Sequence, residues 1–250
     1  MIVRMEQHTI TSVSEFLQLI EKAKDAEEAD NHREDFIYRG QCEDKYLIPR
    51  LARLVPKGRR KEIERLMFDE FKRTSVSLTD LQYESDWDLL AIAQHHGLPT
   101  RLLDWTYSAL AALWFVVEKE PAEISGVKQN GVVWMLKTRT DDFIDERLRT
   151  SPFDNDVTRV YRPRVITPRI AAQCGVFTIH KMMETEGMVE FEAHQKFTTR
   201  LSKFSVKTSA YHHIRKHLDG CGVNRSTMFP DLVGLCGHLE WRYTKLPDEA

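Results

Sequence analysis

The sequence predicts an α+β fold in which a central mixed or antiparallel sheet is flanked by helices. Helical patterns occur early and late in the chain, whereas most strand patterns lie in its second half. The two kinds of element do not alternate regularly, which argues against a βαβ winding. The 250 residues can bury a sizeable core, and no linker stands out. We expect one domain over 1–250, with an N-terminal helix at about 12–29 and a core at about 30–240.

Six segments have helical patterns. They are 12–29, 61–74, 86–97, 108–120, 209–220 and 229–243. Ser12 and Glu15 form a capping-box pattern in the first, and Ser108 can cap the fourth. Gly97 and Gly220 are typical of helix ends, so we expect the third and fifth helices to end there.

Four segments are predicted to be β-strands. They are 36–40, 131–137, 175–180 and 196–206. The first stops at Gly40, and the second is apolar almost throughout, which is typical of a buried strand. The segment "RLLD" at 101–104, between two helices, is expected to be part of a loop.

Composition limits the classes of function. Lys+Arg 36 against Asp+Glu 38 gives a net charge of −2, so a nucleic-acid site requires local clustering of cations. The four cysteines are widely spaced and predict reduced thiols rather than a disulfide framework. The N-terminal residues do not resemble a secretion signal, and no apolar run is long enough for a bilayer. We expect a cytoplasmic protein without a membrane partner.

The segment "HHGLPTRLLDWT", residues 95–106, concentrates polar side chains between two apolar helices. In one interpretation Arg101, Asp104 and Thr106 satisfy one another and cap the next helix. In the other, these residues and His95 line a cleft in which free N–H groups and the guanidinium hold an anion. The sequence leaves both open.

The segment "FIYRGQ" places Arg39 at the end of a predicted strand, directly before Gly40. An arginine in this position can reach a phosphate, because glycine lets a ligand approach the backbone. Alternatively, Arg39 pairs with a buried carboxylate such as Asp104. The two roles are compatible, since such a pair can form one wall of a site.

Two basic segments and one histidine pair are further candidates. Residues 50–65 and 159–169 are rich in Arg and Lys. Each segment is either a solvated surface or one edge of a binding site for a polyanion. His213 and His217 have the spacing of a zinc-binding pair on a helix, but no further ligands are evident. We expect no metal site.

In this order, "FIYRGQ", "YLIPRLAR", "QHHGLPTRLLDWT", "RIAAQCGVF" and "FPDLVGL" resemble the motifs of the FRG domain family, over roughly residues 36–235. The order of motifs is also similar to that of ADP-ribosyltransferase-like folds. That similarity implies that Arg39 holds the pyrophosphate or ribose of NAD. It places Asp104 and Thr106 at the second motif and Gln173 near the third.

The third motif departs from that pattern, because Gln173 stands where a catalytic carboxylate is wanted. Glutamine can bind ribose but cannot supply the negative charge that stabilises an oxocarbenium-like centre. Asp104, Glu190 or Glu192 would supply it, or the domain binds without catalysis.

The resemblance thus implies an NAD-consuming ADP-ribosyltransferase or NAD glycohydrolase, acting in bacterial or phage conflict on NAD itself, a nucleic acid or a protein. The expected catalytic residues are Arg39, His95, Asp104 and Gln173. The expected ligand-binding residues are Tyr38, Gly40, Gln41, Arg101, Trp105, Thr106, Arg169 and Phe177. One alternative is a non-catalytic module that binds nucleotide or nucleic acid, and another is a buried polar network that only specifies the fold.

Overall fold

The computed structural model describes residues 5–25, 35–78, 83–145, 151–165, 167–183 and 187–249. Its α-helices are α1 (Val13–Asp25), α2 (Arg50–Arg53), α3 (Arg60–Thr74), α4 (Asp86–His95), α5 (Ala109–Val117), α6 (Pro168–Ala172), α7 (Gln195–Thr198), α8 (Tyr211–Gly220), α9 (Arg225–Met228) and α10 (Leu232–Tyr243). Its strands are β1 (Glu6–Ile10), β2 (Phe36–Gln41), β3 (Leu102–Thr106), β4 (Glu123–Ile124), β5 (Val127–Lys128), β6 (Gly131–Lys137), β7 (Arg159–Tyr161), β8 (Gly175–Ile179) and β9 (Leu201–Val206).

The chain divides into two compact units, each assembled from separate segments. Unit 1 comprises Met1–Lys45, Thr106–Thr138 and Phe197–Ala250. Unit 2 comprises Tyr46–Trp105 and Arg139–Lys196. The single-domain assignment stays a prediction. Within the described ranges, no helix has both the length and the apolar character that crossing a bilayer requires.

Unit 1 is built on a mixed sheet with the strand order β1-β9-β6-β2. Strand β1 runs parallel to β9, whereas β6 is antiparallel to both β9 and β2. One face of this sheet packs on α1, α5 and α8, and the core between them is large and apolar. The predicted α+β class, with a mixed sheet and flanking helices, is therefore confirmed.

Unit 2 has a smaller set of strands, in the order β3-β8-β7, with α2, α3, α4, α6 and α7. Its core is rich in aromatic residues from α3, α4, β7 and β8. They include Phe68, Trp87, Tyr161 and Phe177, and Phe153 from the 3-10 turn Pro152–Asp154 joins them. The ring pairs are edge to face, tilted or stacked, which adds specificity to apolar burial.

Several predicted boundaries need correction. The segment 101–104 does not belong to a loop, because Leu102–Thr106 form the buried strand β3. The predicted strand 196–206 begins only at Leu201, after the short helix α7. Strands β1 and β7 were not predicted, since the first is mostly polar and the second has three residues.

Helix ends follow the expected chemistry with one exception. Glu15 N–H donates to Ser12 Oγ at 3.1 Å, as the capping-box pattern predicts. Gly97 has a φ of +90° after α4. Gly220 is still helical in α8, and Gly222, with a φ of +79°, takes the left-handed conformation instead. The predicted first helix continues to residue 29, and its part beyond Asp25 lies outside the described residues.

Strand β2 lies unusually close to helix α5. A Cβ atom placed on Gly40 would stand 1.9 Å from the carbonyl oxygen of Ala112 and 3.1 Å from Cβ of Phe115. Any side chain at this position would push the strand away from the helix, because backbone atoms cannot move aside as a side chain does. Gly40 is therefore required by packing within unit 1.

Residues 248 and 249 are held in unit 1 by a buried arginine of α8. The Arg215 guanidinium is buried, and it binds the carboxylates of Asp248 and Glu249 and the carbonyl of Val117. Burial alone would raise the pKa of Glu249, but hydrogen bonds from Trp241 and Arg215 outweigh it and lower the pKa to about 2.

Gly40→Ala is expected to destabilise the protein by about 3 kcal/mol, because the added methyl group overlaps the Ala112 carbonyl. Urea denaturation followed by circular dichroism measures the effect. Gly187→Ala is the control, since a Cβ at Gly187 meets no atom within 4 Å. Equal stabilities of the two variants would contradict the packing requirement.

Glu249→Gln is expected to remove part of the pH dependence of stability. The folded-state pKa of Glu249 is depressed, so its contribution is full above pH 4.5 and is lost as the pH falls towards 2. The stability difference between wild type and variant should shrink by about 2 kcal/mol from pH 6 to pH 3. Glu240→Gln, at an exposed position of α10, should show no such change in urea titrations.

Candidate functional site

The turn between α4 and β3 is fixed by a polar network within unit 2. Thr100 Oγ1 donates to Gln94 Oε1 at 2.8 Å and accepts the Leu102 N–H at 3.0 Å. Gln94 Nε2 in turn donates to Asp104 Oδ2 at 3.1 Å. One glutamine side chain therefore connects the end of the helix to the turn and to the strand.

Asp104 is the exposed position of an otherwise buried strand. Its neighbours Leu103 and Trp105 are buried, so the backbone that carries the carboxylate is held in the core. The amide of Gln94 orients one carboxylate oxygen. The result is a solvent-accessible carboxylate with a defined direction, which is what electrostatic stabilisation of a reacting centre requires.

Arg101, which the sequence predicted to bind a ligand, is buried and paired in unit 2. Its side chain is 1% exposed, and Nε donates to both carboxylate oxygens of Glu64, at 3.1 and 2.9 Å. The Arg101 backbone N–H donates to the same carboxylate at 3.0 Å, and the guanidinium lies over the Phe153 ring. Arg101 is a core residue with its charge already compensated.

Glu64 was missed by the sequence reasoning. It lies on α3, one helical turn before Phe68, and both side chains are buried. A glutamate on the apolar face of an amphipathic helix is itself a signal, because a buried carboxylate needs a cationic partner. The position of Glu64 on the same helix face as Phe68 could therefore have identified it as a buried, paired carboxylate.

Trp105 and Phe177 are also core residues, 3% and 4% exposed, and so leave little surface for a ligand. Trp105 Nε1 donates to Thr178 Oγ1 at 3.1 Å, and Thr178 lies 3.1 Å from a ring nitrogen of His180. The Trp105 ring packs against Phe191 rather than offering a stacking face. Ligand binding by these two aromatic residues stays a prediction that their burial does not favour.

The remaining predicted residues of unit 2 are half-buried. His95 meets the ring of His96 edge to face at 5.0 Å. Gln173 is the C-cap residue of α6, and its N–H donates to the Arg169 carbonyl at 3.0 Å. Arg169 and Gln173 therefore lie on one short helical turn, whereas His95 is the last residue of α4.

Of the alternative acids, Glu192 is engaged with the backbone. Both of its carboxylate oxygens accept the Leu47 N–H, at 3.1 and 2.9 Å. Glu190 is half-buried and precedes a single 3-10 turn. Asp104 remains the acid with the clearest exposure and support.

Strand β2 separates its predicted residues between two faces of the unit 1 sheet. Tyr38 points into the core, and burial raises its pKa to about 12, so the phenol stays neutral. Arg39 and Gln41 are on the opposite face, where Arg39 Nε donates to Gln41 Oε1 at 3.0 Å. Gln41 Nε2 donates to the Lys45 carbonyl at 2.7 Å. Tyr38 and Gly40 therefore have packing roles, whereas Arg39 and Gln41 are half-buried.

On that second face, Arg39 is the cross-strand neighbour of Trp134, which is the neighbour of Lys203. Lys203 Nζ lies 5.3 Å from the Trp134 ring centroid and 2.6 Å from Asp44 Oδ2. Lys203 was not predicted, although its alternation with the buried Phe204 in β9 places it on the face away from the core. A row containing two cations thus crosses three strands.

The Thr106 side chain accepts a backbone N–H group just before α5 and so does not leave that group free. Its Oγ1 accepts the Ser108 N–H at 2.9 Å, and Ser108 Oγ accepts the Ala111 N–H at 3.2 Å. The capping interpretation is supported at this position. An anion at the start of α5 would have to displace protein groups.

The basic segments have structural contacts as well. Arg50 Nη1 donates to the Gly97 carbonyl at 3.0 Å, and Arg60 donates to two carbonyls of the α2 region. Arg164 pairs with Glu84 at 2.6 Å. These contacts reduce the case for a polyanion-binding edge.

Metal binding has no support from clustering: where the structure describes the chain, three His, Cys, Asp or Glu side chains do not converge. The His213 and His217 ring centroids are 6.4 Å apart.

The FRG domain family model matches residues 34–124. This range includes the segments that contain Arg39 and Asp104, and it ends before Gln173. No curated protein and no solved structure is significantly similar to the chain.

Glu64→Gln is expected to destabilise the protein by about 3 to 5 kcal/mol, because it leaves the buried Arg101 charge without compensation. Thermal unfolding and urea titration measure the loss. Glu62→Gln is the matched control on α3, since Glu62 is exposed and only pairs with Arg59 at 3.7 Å.

A second variant tests the ion pair even if Glu64→Gln does not fold. Glu64→Leu combined with Arg101→Met replaces the pair by apolar groups and should be more stable than either single change. If Glu64→Gln were as stable as Glu62→Gln, the ion pair would not be a folding requirement.

Proposed function

The chain contains an FRG domain, and we propose that this domain binds NAD and transfers or hydrolyses its ADP-ribose group. The setting would be conflict between bacteria and phages, with NAD itself, a nucleic acid or a protein as the acceptor. The observation that carries the proposal is the exposed and oriented carboxylate of Asp104.

The chemistry explains why this carboxylate matters. When nicotinamide leaves NAD, positive charge develops on the ribose ring, in an oxocarbenium-like state. A fixed carboxylate stabilises that charge more than flexible solvent does, because it needs no reorganisation. Gln173 carries no charge, and Glu192 holds the Leu47 backbone, so Asp104 is assigned this role. His95 and Gln173 would contact the ribose or nicotinamide.

Within unit 1, Arg39 and Gln41 are the residues that can hold a phosphate group. The guanidinium presents several donors in a plane, which suits a phosphate, and Gln41 orients it by accepting from Nε. Lys203, in the same cross-strand row, would add positive charge once a phosphate replaces its partner Asp44. Arg101, Trp105 and Phe177 are left out of this assignment because they are buried in unit 2.

The alternative is a module that binds a nucleotide or nucleic acid without turnover. The cationic row of Arg39 and Lys203 supports it, since such a row can hold phosphate whether or not a reaction follows. It predicts affinity that falls steeply with salt and does not depend on Asp104.

Asp104→Asn is expected to lower the rate of nicotinamide release from NAD by about 10² to 10³-fold, because it removes the stabilising charge. The fold should survive, since Asp104 is exposed. Chromatography measures release, with NAD alone and with RNA, DNA or protein added, and calorimetry measures NAD binding. Arg39→Ala should weaken NAD binding instead.

Glu190→Gln is the matched control and should leave the rate unchanged. A rate lost in Glu190→Gln but kept in Asp104→Asn would overturn the assignment of the carboxylate. NAD binding without release under any condition would favour the binding module. Neither binding at millimolar NAD nor release would end the NAD proposal altogether.

A further inference from the structure

Helix α10 exposes a row of large apolar side chains in unit 1. They are Leu232, Leu235, Leu239 and Tyr243, with exposed fractions of 78%, 43%, 41% and 81%. Their spacings of three, four and four residues place them on one face of the helix. The opposite face is packed, with Gly234 and His238 buried. We call the four residues the α10 row.

A cavity of about 650 Å³ adjoins this row. It is bounded by residues of α8, α9 and α10, and Leu232 belongs to both the cavity wall and the α10 row. Val233, on the same wall, is 73% exposed. The cavity follows the whole length of α10, from Leu232 to Thr244, and its lining also includes Trp114 and Asn224.

The ends of α10 carry opposite charges. Asp231 is the N-cap residue, and the two basic residues Arg242 and Lys245 are exposed at the other end, beside one exposed acid, Glu240. In the part of the chain that is described, Arg242 and Lys245 make no ion pair. Two such helices that run antiparallel bring each acidic end next to the other's basic end.

We propose that the α10 row is a homodimer interface in which α10 pairs antiparallel with α10 of a second copy. The pairing sets Leu235 of one copy against Leu239 of the other, and the reverse, as twofold symmetry requires. Tyr243 of each copy then reaches the Leu232 end of its partner. Its ring packs there on the exposed Leu232 side chain.

Self-association fits these features better than an unrelated partner does. The acidic residue and the two basic residues lie at opposite ends of one helix, so a twofold axis brings both pairs of ends together at once. A helix of 12 residues is only about 18 Å long, which is short for a standard interface of about 800 Å² per partner. The dimer should therefore be weak, with a Kd in the range of about 10 to 100 μM.

Sedimentation velocity between micromolar and millimolar protein tests the proposal. Wild type should shift from monomer to dimer with rising concentration. Leu239→Glu places like charges at the twofold axis and should raise the Kd at least about tenfold. Leu66→Glu is the matched control, because Leu66 is 63% exposed on α3 of unit 2 and should leave the equilibrium unchanged.

Cross-linking adds a readout of geometry. Cys236 is exposed on α10, and Cys221 is exposed just after α8. With the other three cysteines changed to serine, a short bismaleimide should join Cys236 of two copies, whereas a variant that keeps only Cys221 should stay uncoupled. A monomer at every concentration, a dimer that persists in Leu239→Glu, or equal coupling of the two cysteines would overturn the proposal.

Discussion

The ion pair between Arg101 and Glu64 determines how the turn that leads into β3 of unit 2 can be used. The pair buries the Arg101 guanidinium. Arg101 directly precedes β3, and Glu64 holds it through both its side chain and its backbone N–H. Strand β3 then continues through Leu102 and Leu103 in the core, so only Asp104 faces solvent. The polar character of the motif is thus divided between a buried structural part and a single accessible acid.

A similar division applies to β2 in unit 1. Alternation along the strand places Tyr38 and Gly40 towards α5, where packing leaves no room for a larger residue. Arg39 and Gln41 take the other face and contact each other. In both units, motif residues that build the fold stand directly beside more exposed ones, and sequence proximity does not distinguish the two groups.

The fold class and most helices could be predicted, because apolar periodicity and capping residues are local signals. Ser12, Ser108 and Gly97 act as the sequence indicates. Strand β3 could not be predicted, since its five residues have no alternating pattern and follow a proline-containing turn. The ion pair of Arg101 could not be predicted for a different reason: its partner Glu64 is 37 residues away, and only tertiary structure brings the two together. The burial of a polar residue therefore depends on contacts that local sequence patterns do not contain.

The discontinuity of unit 1 also has a consequence during synthesis. The last segment of unit 2 ends at Lys196, whereas β9, α8 and α10 of unit 1 all lie after Phe197. Strand β6 gains its β9 partner, and Arg215 its two carboxylates, only when these later residues leave the ribosome. Unit 2 can therefore complete its core first, while one edge of β6 waits unpaired and open to chaperones.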